Sequence, residues 1–327
     1  MRRRDFTALL CIAVALPLAA HAQAPGQSVI GILTSRTEAD AARDFAAFRK
    51  GLEEAGFAEG ENVAFLYRFA DGRYDRLPDL AADLVGAGVS LLFASGGSTS
   101  VAAAKNATAE IPIVFTSGQD PVTFELVRSL NQPGGNLTGV YLQTTTLDGK
   151  RLELLSEAIP DADAVAALLN PDNPTFDAQV QNLQDSARSL NKTVVLLPAS
   201  SAAEIDAAFA EIDQQGIRAA LVGSDPFLSS VSIEQIVSLA ARYGVGTSHL
   251  WRDATEAGAL ISYGTSLDDA YRLAGNYAGQ ILKGAKPFEI PVQQAARVEL
   301  IINLKTADAL GLAISPQLLA RADEVIE

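Results

Sequence analysis

Five short polar stretches, each following an apolar run, hold most of the side chains in this 327-residue chain that could bind or react: Thr34-Ser35, Ser95–Thr99, Thr116–Asp120, Asn170–Pro174 and Ser224–Phe227. Their residue types favour hydrogen bonding over bond making. Ser and Thr hydroxyls donate and accept, amides do both, and the free backbone N–H groups of a helix start favour an anion such as a carboxylate. The candidate ligand contacts in these loops are Ser35, Gly97, Ser98, Thr99, Ser117, Gln119, Asp120, Asn173 and Asp225, with Asp225 as the group to pair with an ammonium. A second reading stands beside the first. Asp120-Pro121 and Asp225-Pro226 are also what a helix start looks like, and Ser98 and Asn173-Pro174 read the same way. Capping and ligand contact are compatible, so both remain open.

Signals for catalysis are weak. A serine hydrolase needs Ser and His brought together with an orienting acid, which here would mean Ser98 and His249. Ser95-Gly96-Gly97-Ser98 is not the nucleophile elbow of such enzymes. Gly96-Gly97 lacks the spacing of a dinucleotide fingerprint and the lysine of a phosphate loop. No calcium-loop spacing occurs, and the pairs Glu53-Glu54 and Asp268-Asp269 read as solvated helix faces. We therefore expect no catalytic residue, no cofactor and no metal. Among the aromatic residues, Tyr67, Tyr141, Phe227, Trp251 and Tyr263 lie near strand ends, where they wall a small site or pack the core. Tyr141 and Tyr263 fall where the chain should pass between domains, and they join the candidate contacts.

The elements that must position these loops follow a regular rhythm. Val29–Leu33 reads as a strand, and Ala41–Gly56 as a helix with Phe45, Phe48 and Leu52 on one face. Strand, helix and strand continue through Val63–Tyr67, Arg76–Val85 and Val89–Ala94, and Pro121 is placed to start a helix after Ile111–Phe115. From Leu147 the alternation begins again and runs to a last strand near Val298–Ile302. Near-continuously apolar strands alternating with amphipathic helices imply parallel sheets covered on both faces. Two such sets of similar length predict an α/β protein of two doubly wound domains.

The first 22 residues set the compartment. Arg3-Arg4-Asp5-Phe6, an apolar run from Ala8 to Ala20 and the site Ala20-His21-Ala22 read as a secretory leader cut before Gln23, with a hint of the twin-arginine route. The apolar run is shorter than the ~20 residues of a membrane span. Removing the leader takes away three arginines, one aspartate and the single cysteine, moving the formal charge from −14 to −16. Without a thiol there is no disulfide and no thiolate metal site. Such acidity argues against nucleic acid and against anionic lipid as partners. A protein soluble in the periplasm is expected.

Several motifs together resemble a known family. Gly56-x3-Gly60-x-Asn62-Val63, Asp71-Gly72-x-Tyr74, Ile111–Phe115, Asp120-Pro121-Val122, Pro133-Gly134-Gly135-Asn136-Leu137-Thr138-Gly139-Val140 and Ile302–Ala307 are similar to those of ABC transporter substrate-binding proteins related to tryptophan- and tyrosine-binding proteins. The likeness runs from Val29 to Glu327. It implies a type I periplasmic binding protein fold with two lobes, three crossovers and ligand in the cleft. One lobe would hold residues 29–140 plus 265–292, the other 141–264 plus 293–327. It also implies a small polar ligand such as an amino acid, an inner-membrane ABC permease as partner, and a monomer. Ser95–Thr99, Thr116–Asp120 and Asp225 would be its ligand loops. A sensory module serving a receptor kinase or chemoreceptor is the alternative role.

Overall fold

The computed structural model describes residues 26–327, so the leader expected at residues 1–22 lies outside the described residues. The first run of elements is β1 Ser28–Thr34, α1 Glu38–Glu54, β2 Val63–Phe69, α2 Leu77–Gly86, β3 Leu91–Ser95, α3 Ser98–Ala107, β4 Ile113–Ser117 and β5 Leu137–Tyr141. The second is α4 Asp148–Ala158, β6 Ala164–Leu169, α5 Phe176–Leu190, β7 Thr193–Pro198, α6 Ala202–Gln214, β8 Ala219–Val222, α7 Ile233–Tyr243, β9 Gly246–His249, α8 Arg252–Glu256 and β10 Ile261–Thr265. The chain then returns through α9 Leu267–Leu282 and β11 Gln293–Gln294. It closes with β12 Val298–Asn303, α10 Leu304–Ala309, α11 Pro316–Leu319 and β13 Glu324–Ile326. No helix among the described residues is long and apolar enough to cross a membrane.

Two sheets result, ordered β2-β1-β3-β4-β5-β11 and β7-β6-β8-β9-β10-β12-β13. Strands β3 and β4 are buried along their whole length, as apolar strands covered on both faces must be. Apolar clusters lie on each face of each sheet. Among the described residues all strand pairings are parallel except β10 with β12, a departure from the purely parallel sheets expected. The cause is the entry point. β11 runs parallel to β5 at its carboxyl end, so the chain enters the second sheet where β10 finishes and can only run backwards along it.

Three connections pass between the sheets: β5 to α4, β10 to α9 and β11 to β12. They are bonded to one another, Thr265 Oγ1 donating to the Leu142 carbonyl (2.7 Å), Ser266 N–H to Arg297 (3.0 Å) and Ala295 N–H to Tyr141 (2.9 Å). Tyr141, Gln293 and Gln294 belong to strands of the first sheet and Thr265 to a strand of the second, whereas the sequence boundaries assign each to the other lobe. Each expected boundary falls a residue or two early because pairing carries the strands to the crossover.

The helix expected after Pro121 is absent. Leu126 and Val127 both donate to the Pro121 carbonyl (2.8 and 3.1 Å), and Glu125 adopts a left-handed φ of 52°. That series of turns buries Leu126 and Val127 in the first lobe's core.

Candidate functional site

Strand order reverses at β1/β3 in the first sheet and at β6/β8 in the second. Crevices that bind ligands form beyond the carboxyl ends of strands at such points. Here the two sets of loops face each other across one cavity of about 50 Å³. The first lobe lines it with Arg36, Gly96, Gly97, Gly118, Gln119, Leu267 and Tyr271. The second lobe contributes Thr144, Ser224, Asp225, Pro226, Ser229, Ser230, Leu250 and Trp251.

On the first lobe, buried Ser35 donates its hydroxyl to the Gly96 carbonyl, tying the β1 loop to the β3 loop. Gly97 has φ +107°, and a Cβ there would come within 3.1 Å of Pro226 Cγ on the opposite lobe. Only glycine suits both the backbone and the contact. Ser98 opens α3, and its N–H donates to Gln119 Oε1 (3.1 Å). The Ser117 hydroxyl donates to the Gln119 carbonyl (3.1 Å), so the β4 loop braces the β3 loop. Arg36 gives Nη1–H to the Asp44 carboxylate and Nη2–H to the Asp40 carbonyl. Burial works against its charge, but the Asp44 carboxylate more than compensates through its charge and hydrogen bond, and the guanidinium is held firmly cationic.

The second lobe is organised by a chain of hydrogen bonds. Ser224 N–H donates to Gln179 Oε1 (2.9 Å), Gln179 Nε2 to Thr175 Oγ1 (2.9 Å), Thr175 Oγ1 to Asn173 Oδ1 (2.7 Å), and Asn173 Nδ2 to Asp225 Oδ2 (2.7 Å). Asp225, 1 % exposed, accepts four further bonds. Asn170 Nδ2 (3.0 Å), Phe227 N–H (3.0 Å) and Leu228 N–H (3.2 Å) reach Oδ1, and the Tyr74 hydroxyl (2.7 Å) reaches Oδ2 from the other lobe. Burial and Asp225 raise the Tyr74 phenol far above its ordinary range, so it stays a donor. After Pro226 the backbone takes one wide turn over Phe227–Val231, a form common at functional sites. Behind it, fully buried Arg151 ties Asp148 (2.9 Å) to the carbonyls of Val222 and Ser248, and the Ser224 hydroxyl donates to Asp148 (2.9 Å).

Of the residues singled out from sequence, Gly97, Gln119 and Asp225 line the cavity, while Ser35, Ser98, Ser117 and Asn173 lie buried around it. Thr99 is half-buried on α3, outside the lining. Asp120 caps its own turn, accepting from Val122 N–H (2.8 Å) and Thr123 N–H (3.4 Å). Tyr141 packs into the first lobe's core and Tyr263 against the second's, so neither reaches the cavity. Alternate strand residues point to opposite faces, and these two face the cores. Arg36, Thr144, Ser229, Ser230, Leu250, Leu267 and Tyr271 also line the cavity and were not singled out from sequence. Trp251, weighed from sequence, does line the site.

The profile of ABC transporter substrate binding proteins matches residues 33–326. The chain belongs to that family. It is 30% identical over 273 residues to a tyrosine-binding protein of Clostridioides difficile (strain R20291), covering 81% of this chain and 75% of the relative. Among solved structures, an ABC domain in complex with L-Trp from Streptococcus pneumonia superposes with a TM-score of 0.82 at 24% identity, over 92% of this chain and 100% of that one. The ligand-free, open structure of a substrate binding protein with adhesive properties from Clostridium difficile gives 0.64 at 25% identity, over 91% and 99%. The two-lobe type I periplasmic binding fold follows. Substrate-binding proteins hold their ligands and do not transform them, and among the described residues no hydrogen bond joins Ser98 to His249. His249 sits in the second lobe with neither ring nitrogen bonded, and burial, with Arg151 nearby, lowers it to about 3.

Proposed function

We propose that this substrate-binding protein takes an amino acid with an aromatic side chain into its interlobe cleft and delivers it to the permease of an ABC importer. It works as a monomer in the periplasm once the leader is removed. One observation carries the reading: the cavity at the two switch points joins a fixed carboxylate, Asp225, to hydroxyl and amide groups, with Trp251, Tyr271 and Leu250 along its walls. A carboxylate held by oriented donors suits an ammonium, and flat apolar walls suit an aromatic ring. Of the five donors on Asp225, the Tyr74 hydroxyl alone comes from the opposite lobe, so it is the one that leaves when the cleft opens and the one the ammonium replaces. The names of two comparison proteins, one tyrosine-binding and one holding L-Trp, support the ligand class. At similar identity and coverage, the superposition is better on the L-Trp complex than on the open, ligand-free structure, which supports a closing cleft.

A thermal-shift screen of the exported protein against the amino acids, peptides, nucleosides, small acids and sugars tests this. A ligand at a hundredfold excess over its Kd adds about 2.7 kcal/mol of stability by mass action. L-tryptophan and L-tyrosine are expected to raise the melting temperature, and titration calorimetry to show one site per chain. A rise with sugars or nucleosides alone would sink the amino-acid reading.

A further inference from the structure

We propose that Arg36 anchors the ligand's carboxylate and so makes the cleft select amino acids over the corresponding amines. The inference rests on the amino-acid reading above and adds the residue that recognises the acid end. Among the described residues, Arg36 and Asp225 are the only charged side chains lining the cavity, and they stand on opposite lobes, one cationic and one anionic. A zwitterion has the matching pair of charges.

The state of the Arg36 guanidinium gives the argument its detail. Its side chain is 6 % exposed, and two of its nitrogens are held, Nη1 by Asp44 and Nη2 by the Asp40 carbonyl, both on α1. Those bonds fix the plane of the group. The Nε–H is buried and has no acceptor among the described residues. A buried donor on a cation is costly to leave unpaired, more so than a neutral one. The unpaired group therefore belongs to a side chain that already lines the ligand cavity and is already oriented. Guanidinium is a rigid planar fork whose edges match a carboxylate. The N-terminus of α3, the anion site that the sequence favours, is less available because the Ser98 N–H is already bonded to Gln119. Asp44, 2 % exposed and outside this cavity's lining, bonds Nη1 and leaves Nε without a partner.

A purely structural Arg36, tying the β1 loop to α1 through Asp44, is the competing account, and amines separate the two. Calorimetric titrations would use L-tryptophan, L-tyrosine, tryptamine and tyramine against the wild type, Arg36→Lys and the double change Arg36→Gln with Asp44→Asn, which leaves no stranded charge. The wild type is expected to bind the amino acids at least tenfold more tightly than the amines, the lower end for a hydrogen bond to a charged group. The double variant should lose about 10- to 100-fold for the amino acids and leave the amines within about threefold. Arg36→Lys keeps the charge but not the fork, and should lose about tenfold for the amino acids only, which gives a second reading if the double variant does not fold. Equal weakening of amines and amino acids would make Arg36 structural. Unchanged amino-acid binding in the variants, or a wild type that binds amines as tightly, would also overturn the inference while leaving an aromatic ligand in place. A wild type that binds none of the four compounds would overturn the amino-acid reading and this inference with it.

Discussion

Asp225 shows how a residue can be picked for the right place and the wrong surroundings. Its position after an apolar strand marks it, and sequence reasoning leaves capping and ligand pairing open. The structure makes it a cap through Phe227 and Leu228 N–H, and in addition the acceptor for two asparagine amides and a tyrosine from across the cleft. A pure cap would tolerate Asn, which caps about as well as Asp. Here every orientation of an Asn amide sets its NH2 against donors: Tyr74 and Asn173 on one side, Asn170 and two backbone N–H groups on the other. Asp225→Asn is therefore expected to destabilise the fold by about 1–3 kcal/mol, the cost of buried polar groups left unpaired. It should also weaken an amine-bearing ligand at least tenfold, because a desolvated charge partner is lost. Denaturant titration and calorimetry read the two effects separately. Wild-type stability would mean that the five bonds are not held in solution. Wild-type affinity would remove Asp225 from the ligand site.

At the scale of elements, most strands and long helices were legible because burial on both faces demands unbroken apolar runs and amphipathic periodicity. The strands expected at Val29–Leu33 and Val63–Tyr67 run over Ser28–Thr34 and Val63–Phe69. Short pieces such as α8 and β13 carry no periodicity of their own, since α8 is held by β10 and β12, and β13 by β12. The site was half legible for the same reason. Loops after strands are readable, whereas Arg36 matters through Asp44 one helix further on, and Tyr271 arrives on α9 after a second crossover. That helix is docked on α1 backbone to backbone. A Cβ on Gly51 would lie 1.9 Å from the Arg272 carbonyl oxygen, and one on Gly275 2.0 Å from that of Phe48. Neither neighbour can yield without parting the helices that carry Asp44 and Tyr271. Gly275→Ala is expected to cost about 1–3 kcal/mol or more, the price of overpacking. Gly86→Ala, with nothing within 4 Å of its new methyl, should change stability little. Equal denaturation midpoints for the two variants would show that α1 and α9 are less closely docked than described.

For the whole molecule the question is what holds the lobes together over the cleft. Arg43 reaches from α1 to Asp253 and Glu256 on the second lobe at 3.3 Å, but its side chain is 40% exposed and such pairs contribute roughly 0–1 kcal/mol. The bond from Tyr74 to Asp225 is buried and joins a neutral donor to a charged acceptor, a kind that contributes about 1.5–3 kcal/mol. It is the stronger of these two interlobe ties, and it uses the carboxylate proposed to meet the ligand's ammonium. A tie of that kind favours the closed form without a ligand and lowers apparent affinity by the fraction of protein it withholds from binding. Tyr74→Phe keeps the ring against the first lobe's core and removes the hydroxyl alone. The ligand-free variant is expected to be more open, with a larger radius of gyration by small-angle scattering than the wild type. Saturating L-tryptophan should bring both proteins to the same smaller value. Its affinity for L-tryptophan should rise about 10- to 100-fold, since 1.4 kcal/mol is a factor of ten. Weaker binding would place the Tyr74 hydroxyl among the contacts that close over the ligand, and Asp225 would then have to meet the ammonium with Tyr74 still attached.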